Sequence, residues 1–188
     1  MNLIIFGPPG AGKGTQSNLI SERYNLFQLS TGEILREQIR KKTDLGLKIS
    51  PVIDSGLFVS DEIVSELIEK VIKEKEYNNR IIFDGYPRSL TQAKNLENLL
   101  KKYKQKIDLV LKLSVRLETV KKRILERRSL EKRSDDNEEI AVKRYKTYEK
   151  STEPVIEYYK KLNLLKVIDG ERSIDQINKE ISDIINLI

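Results

Sequence analysis

The feature that most constrains the fold is a glycine-rich turn that directly follows the first apolar segment. The apolar run Leu3–Phe6 leads into Gly7-Pro8-Pro9-Gly10-Ala11-Gly12-Lys13-Gly14-Thr15, and a segment of helical character comes next. The spacing G-x-x-x-x-G-K between a strand and a helix is typical of a loop whose backbone N–H groups surround a phosphate, with the lysine as a point charge. A glycine-rich turn that binds no ligand is the alternative. The pattern favours an α/β fold with a phosphate-binding loop.

Short apolar runs alternate with longer amphipathic segments, which is typical of a parallel sheet with crossover helices. The runs that we interpret as five buried strands are Leu3–Phe6, Phe27–Leu29, Arg80–Phe83, Leu109–Leu113 and Leu165–Ile168. Apolar residues recur at helical spacing between them, over 63–72, 117–124 and 174–184. Residues 137–160 suggest a long helix, which we expect Pro154 to kink or interrupt.

Two intervals break this alternation and suggest excursions from a single domain. Residues 30–60 hold two short helical pieces around Ser50-Pro51 and Gly56, and 128–136 is polar without apolar periodicity. We therefore expect one domain over 1–188. Its core would comprise 1–29, 60–127 and 137–188, with inserts at 30–59 and 128–136.

Composition narrows the chemistry that the chain can use. It has no cysteine and no histidine among 188 residues, so thiolate catalysis, a cysteine-based zinc site and a histidine base are excluded. The apolar run at the N-terminus is far shorter than a membrane span of about 20 residues. We expect a soluble cytoplasmic protein that binds neither a membrane nor zinc.

The net charge of +6 is concentrated in one region. Residues 101–150 carry 17 Lys and Arg against 9 Asp and Glu, which favours an anionic ligand at one place. A nucleic-acid-binding module is an alternative for this charge and for the pI of about 9.3. It explains neither the glycine loop nor Asp84, so we expect no nucleic acid partner.

Asp84 ends the apolar strand 80–83, at the edge of the sheet where ligands of open α/β folds bind. Its carboxylate can hold magnesium through water, or it can cap the following helix. In such loops a Ser or Thr whose hydroxyl binds magnesium usually follows the lysine. Here Gly14 stands at that position, and the next residue, Thr15, carries a hydroxyl. We expect Mg²⁺ at this edge, and Thr15 is a possible second ligand.

Four segments together resemble the adenylate kinases in their short-lid form. They are GPPGAGKGTQ at 7–16, LSTGEILR at 29–36, DGYPRSLTQA at 84–93 and RSDDNEE at 133–139. The resemblance implies a P-loop-type five-stranded parallel sheet flanked by helices, with an NMP-binding insert at 30–59 and a short lid at 128–136. It also implies reversible transfer of the terminal phosphoryl group from ATP to AMP, giving two ADP, in a monomer whose partners are these nucleotides.

Motif matching then assigns roles to individual residues. The catalytic set that the resemblance implies is Lys13, Arg88, Arg123, Arg133 and Arg144. The ATP-binding set is Gly10, Ala11, Gly12, Lys13, Gly14, Thr15, Arg127 and Arg172, the last by position in the loop that contacts the base. The AMP-binding set is Thr31, Arg36, Leu57, Val59, Gly85, Arg88, Gln92, Arg133 and Arg144. Guanidinium groups suit these roles because they bind phosphate bidentately and stay charged.

Thr31 and Gln92 resemble the adenine-reading pair of AMP-specific members, and a glutamine amide can pair bidentately with an adenine edge. Relatives that prefer UMP or CMP tend to have Ala and Asn at these two positions. A UMP/CMP or broad-specificity nucleoside monophosphate kinase is the remaining alternative within the same fold. Asp135 and Asp136 resemble paired lid carboxylates, for which we expect a hinge or ion-pair role.

Overall fold

The computed structural model describes residues 1–131 and 136–188, with the backbone only at 130 and 131. Its five strands form one parallel sheet in the order β2-β3-β1-β4-β5. They are β1 Leu3–Phe6, β2 Phe27–Ser30, β3 Ile81–Asp84, β4 Leu109–Ser114 and β5 Leu165–Asp169. The predicted α/β class and all five strands are confirmed. Only the ends shift, since Arg80 precedes β3 and four strands are one residue longer at their carboxyl ends.

Eight α-helices and one 3₁₀ turn connect and cover the strands in the described part of the chain. They are α1 Lys13–Tyr24, α2 Thr31–Arg40, α3 Asp44–Asp54, α4 Asp61–Ile72, the 3₁₀ turn Lys75–Tyr77, α5 Leu90–Lys102, α6 Leu117–Glu131, α7 Glu138–Lys161 and α8 Ile174–Ile185. Several of these helices are preceded by a residue whose side chain accepts a hydrogen bond from a backbone N–H of the first turn. Ser30, Thr43, Ser89, Asn137 and Ser173 have this role, which compensates helix donors that would lack partners.

The sheet separates two hydrophobic layers. Ile4 and Phe6 point to the layer that contains Ile68 of α4, whereas Leu3 and Ile5 point to the layer that contains Ile181 of α8. This alternation follows from the two-residue period of a strand, and it requires β1 to be apolar at every position because both faces are covered. All four β1 side chains are at most 4% exposed.

Three details differ from the sequence-based expectations. Gly56 lies in a turn after the end of α3 rather than in a helical piece, and α7 continues through Pro154 without interruption. Residues 128–131, which we expected in the polar excursion, continue α6. Within the described residues, no helix is both long and apolar enough to cross a membrane.

The topology places the carboxyl ends of β1 and β3 side by side. Ile5 of β1 is in register with Asp84 of β3, and the chain leaves β1 and β3 toward opposite edges of the sheet. Ligands of open α/β sheets bind at such a reversal of strand order. The glycine loop after β1 and the carboxylate at the end of β3 are therefore neighbours.

Candidate active site

The loop between β1 and α1 is shaped by glycines in a conformation that other residues rarely adopt. Gly10 and Gly12 have φ values of 76° and 92°, in the left-handed region. Gly12 is the residue before α1, and no side chain caps this helix end. The first N–H groups of α1 and the positive end of its dipole therefore face the loop, an arrangement suited to an anion.

Lys13 lies under this loop. Its Nζ donates to the carbonyl oxygens of Gly7 at 2.8 Å and Pro8 at 3.0 Å. Burial lowers the pKa of Lys13 to about 8, against an opposing contribution from Asp84, while Arg88 and Arg144 lower it further. The ammonium group thus lies in a region of net positive charge, which an incoming phosphate would relieve.

Asp84 ends β3 with 7% of its surface exposed. Its Oδ2 accepts from the side-chain amide of Gln28 on β2 at 3.3 Å. Gln28 orients this carboxylate, and the sequence analysis did not single it out. No group of three or more Asp or Glu within the described residues could form a metal site by itself. One carboxylate beside a phosphate loop is the donor set that Mg²⁺ uses when phosphates and waters complete its shell.

Thr15 lies in the first turn of α1, and its side chain is exposed. Thr15 follows Lys13 by two residues in the same helical turn. Its hydroxyl therefore lies at the helix end that faces the glycine loop, where it can reach a ligand. The structure therefore brings both predicted metal-binding positions to the phosphate loop.

Arg88 is held at the start of the segment that follows β3. Its backbone N–H donates to Oε1 of Gln92 at 2.7 Å, and its Nε donates to the carbonyl oxygen of Gly85 at 2.6 Å. Burial lowers the pKa of Arg88 to about 10, and Arg144 and Arg36 lower it further against Asp84. Its guanidinium remains charged at neutral pH.

Two connected clefts open at this edge of the sheet. One of about 590 Å³ lies against the insert, and one of about 470 Å³ lies against the glycine loop and Lys13. Phe58, Gly85, Arg88 and Arg144 line both. The other predicted AMP-binding residues that line the insert cleft are Thr31, Arg36, Leu57, Val59 and Gln92. The structure therefore brings all the described members of that predicted set together.

The two residues predicted to read the base are both buried. Thr31 Oγ1 lies 3.2 Å from the carbonyl oxygen of Gly85. The Gln92 amide accepts from Arg88 and donates to Asp61 at 2.5 Å. Because a carboxamide has two acceptor sites and two donors, one of each remains. The amide is fixed in orientation and still able to form two hydrogen bonds.

The predicted ATP-side arginines that the structure describes have three different kinds of partner. Arg123 joins the loops that follow β1 and β5, since it donates to Ala11 O at 3.4 Å and Gly170 O at 2.9 Å. Arg127 forms a two-point pair with the buried Asp136 at 2.7 and 2.5 Å. Arg172 pairs with Glu180 on α8.

Two predicted lid residues, Arg133 and Asp135, lie outside the described residues. Asp136 is described, and its ion pair is with Arg127. Among the cleft residues, the sequence analysis missed Phe58. It lies between the predicted residues Leu57 and Val59, in an apolar run where nothing distinguishes an aromatic cleft residue from a core residue.

Comparisons with known proteins identify the family. The sequence model of the family described as adenylate kinase matches residues 5–164. The chain is 44% identical to an adenylate kinase of Pelagibacter ubique, with all of both chains covered. It is 39% identical to one of Archaeoglobus fulgidus, covering 100% of this chain and 99% of the relative, and 42% identical to one of Leptospira biflexa, covering 95% and 96%. The chain therefore belongs to the adenylate kinase family, the ATP:AMP phosphotransferases.

Proposed function

We propose that this phosphotransferase binds the phosphates of ATP at the glycine loop and binds AMP in the insert cleft, and that the phosphoryl group moves between them to give two ADP. The observation that carries this division is the pair of clefts that meet at Arg88 and Arg144. One cleft contains Lys13 and the other contains Thr31, Arg36 and Gln92. Two nucleotides bound there would have their phosphates at the junction.

The chemistry needs charge and position rather than a nucleophile from the protein. The attacking oxygen belongs to the phosphate of AMP, and the transition state spreads negative charge over the transferring group. Lys13, Arg88 and Arg144 supply fixed positive charge around that point, and Lys13 and Arg88 are largely shielded from water. Electrostatic stabilisation of this kind is commonly the largest contribution to such a reaction. It explains how a chain without histidine or cysteine can catalyse the transfer.

We assign Asp84, through water, and Thr15 as the groups of this chain that would hold Mg²⁺ with ATP. Bound Mg²⁺ would neutralise phosphate charge. Gln28 donates to Oδ2 of Asp84 and helps to fix this carboxylate. Arg123 and Arg127 lie beside the loop, and we assign them to the ATP side together with the predicted Arg133. Arg172 remains a contact by position, because its side chain is paired with Glu180.

AMP is favoured over UMP and CMP by the Thr31 and Gln92 pair. The remaining donor and acceptor of the Gln92 amide match the acceptor and donor that adenine presents on one edge. The cleft walls beside them, which include Leu35 and Val64, are apolar and suit a flat base. We further propose that 30–59 is an NMP-binding insert, that 128–136 is a short lid, and that the protein acts as a cytoplasmic monomer.

A coupled assay tests the proposal directly. ATP is offered with AMP, UMP, CMP or GMP over a range of Mg²⁺ concentrations, and ADP formation is followed. We expect turnover with AMP, dependence on Mg²⁺, and kcat/KM for AMP at least 100-fold above that for UMP or CMP. The Thr31→Ala, Gln92→Asn double variant should lose part of this preference. Equal turnover of AMP and UMP by the natural chain would contradict the base-reading assignment.

A further inference from the structure

The aromatic ring of Phe58 lies against the guanidinium of Arg88. Arg88 Cζ is 4.5 Å from the centre of the ring, well inside the range of about 6 Å over which a cation–π interaction operates. Phe58 is partly buried in the segment between α3 and α4, and it lines both clefts. The contact therefore joins the insert to the core where the two clefts meet.

Positive charge surrounds Arg88 on several sides. Burial is the main cause that lowers the pKa of Arg88, and the charges of Arg144 and Arg36 lower it further against the opposing effect of Asp84. Arg36 has a carboxylate partner in Glu33. Among the described residues, none of the salt bridges involves Arg88. The groups that hold its guanidinium are the carbonyl oxygen of Gly85 and the ring of Phe58.

These two contacts leave the phosphate-binding edge of Arg88 available. The Gly85 oxygen accepts from Nε, and Arg88 Cζ lies over the face of the Phe58 ring, so neither contact is a hydrogen bond from Nη1 or Nη2. The N–H groups on Nη1 and Nη2 can form a bidentate contact with a phosphate. A carboxylate paired with Arg88 would instead occupy those donors and neutralise its charge. An aromatic face attracts the cation without doing either.

We propose that Phe58 is a positioning residue for Arg88, and that its ring orients the guanidinium for the phosphate of the acceptor nucleotide. The inference rests on the proposed function in one respect, which is that Arg88 binds the acceptor phosphate. The new element is that an aromatic side chain of the insert orients Arg88 before the acceptor nucleotide binds. The contact that the structure shows for the ring is with Arg88, so we expect its main effect on the binding of the phosphate rather than of the base.

Calorimetric titration of the full chain with AMP and with adenosine separates the phosphate from the base. Phe58→Leu should weaken AMP binding about 2- to 30-fold, the range that a cation–π contact corresponds to, and leave adenosine binding within about twofold. Phe58→Tyr keeps a ring and should bind AMP nearly as the natural chain does. Phe27→Leu is the matched control, since Phe27 stacks on Tyr77 at 3.9 Å outside both clefts, and it should change neither affinity.

Kinetics supply a second measurement. Phe58→Leu should raise the KM for AMP by a similar factor and leave the KM for ATP unchanged, and Phe58→Tyr should restore the KM for AMP. Phe58 is only partly buried, so the leucine variant is expected to fold, and Phe58→Met replaces it if it does not.

Three results would overturn the inference. AMP binding that is unchanged in Phe58→Leu would show that the ring does not position Arg88. Loss of AMP and adenosine binding alike would show that Phe58 only shapes the insert. A natural chain that binds no AMP would contradict the proposed function itself, and the inference with it. The first two results leave the proposed function intact, so the two failures are distinguishable.

Discussion

At Lys13 the protein keeps an ammonium group where burial disfavours its charge. The pKa of Lys13 is about 8 in the folded chain, below the ordinary value of 10.5. Because the folded pKa is the lower one, charged Lys13 reduces stability below pH 8, and this cost disappears as pH rises toward 10.5. The group is retained because bound phosphate compensates its charge.

Lys13→Met should therefore separate activity from stability. We expect kcat to fall about 10²–10³-fold through loss of one charge at the transferring group. The free energy of unfolding at pH 7 should stay unchanged or rise by up to about 3 kcal/mol, because methionine removes the buried charge. Urea unfolding measures the free energy of unfolding, and steady-state kinetics measure kcat. A folded variant with near-normal activity would show that the loop assignment is wrong.

The same pKa predicts how activity depends on pH. In the free enzyme Lys13 loses its proton as pH rises through about 8, so kcat/KM for ATP should decline above that pH. Bound phosphates raise the pKa of Lys13, so kcat at saturation should decline only at higher pH. Rate profiles from pH 6 to 10 test this difference. A kcat/KM for ATP that is constant to pH 9.5 would contradict a titrating Lys13.

Arg88→Lys should recover little of what Arg88→Ala loses, because a lysine offers a point charge where a planar pair of donors binds. We expect the KM for AMP to rise about 10- to 100-fold in the lysine variant, with the KM for ATP within about twofold. Steady-state kinetics with each nucleotide varied in turn measure both. An unchanged KM for AMP would mean that Arg88 is a surface charge with no part in acceptor binding.

Residue identities in the site were predictable where a motif fixes the spacing. Lys13, Asp84 and Arg88 follow strand ends, and the parallel topology brings strand ends together. Phe58 and Gln28 were not predictable, since their roles depend on which side chains they face after folding. The pairing of Arg127 with Asp136 was not predicted, because the sequence indicated an ion-pair role for the two acids but not the arginine that Asp136 contacts.

At the scale of elements, α6 and α7 are tied together across 132–135 by that ion pair. The Asp136 side chain is fully buried and accepts from two nitrogens of Arg127. Asp136→Ala should lower the free energy of unfolding by about 3 kcal/mol, because it removes one member of a buried charge pair. Glu37→Ala, which breaks an exposed pair with Lys41, is the control and should change the free energy of unfolding much less, because exposed ion pairs contribute little to stability. Equal effects in urea unfolding would contradict a structural role for Asp136.

The elements themselves were predicted well because their apolar periods are strong, and the misassignments have physical causes. Pro154 was expected to disrupt α7, but one missing N–H is tolerated where Val155 and Ile156, directly after the proline, are buried in the core. Residues 128–131 lack an apolar period and still continue α6, since a helix that packs over its first turns can extend into solvent.

At the scale of the molecule, the insert already contacts the core. Lys143 Nζ on α7 donates to the carbonyl oxygen of Ser55 at 2.8 Å, at the end of α3. A Cβ on Gly56 would lie 3.0 Å from Ile140 and 3.3 Å from Arg144, so this glycine permits the close approach of the insert to α7. Residues 30–59 therefore cover one side of the insert cleft.

Closure of the other side, by residues 128–136, should depend on which nucleotide is bound. Arg144 and Arg36 repel the charge of Arg88 and lower its pKa in addition to the larger effect of burial. Bound phosphates would supply the attraction that favours a closed site. In the proposed arrangement, a bisubstrate analogue that links two adenosines by five phosphates would span both clefts. Transfer to AMP rather than to water would then require 30–59 and 128–136 to close over such a ligand.

Amide hydrogen exchange should therefore slow in 30–59 and in 128–136 when the analogue binds. AMP alone should slow exchange in 30–59 and leave 128–136 nearly as in the free protein, because AMP contacts only the insert cleft in the proposed arrangement. The control is α8, which lines neither cleft and should exchange alike in all three states. If AMP protected 128–136 as strongly as the analogue does, the two segments could not serve separate nucleotides, and the proposed division between an ATP side and an AMP side would be wrong.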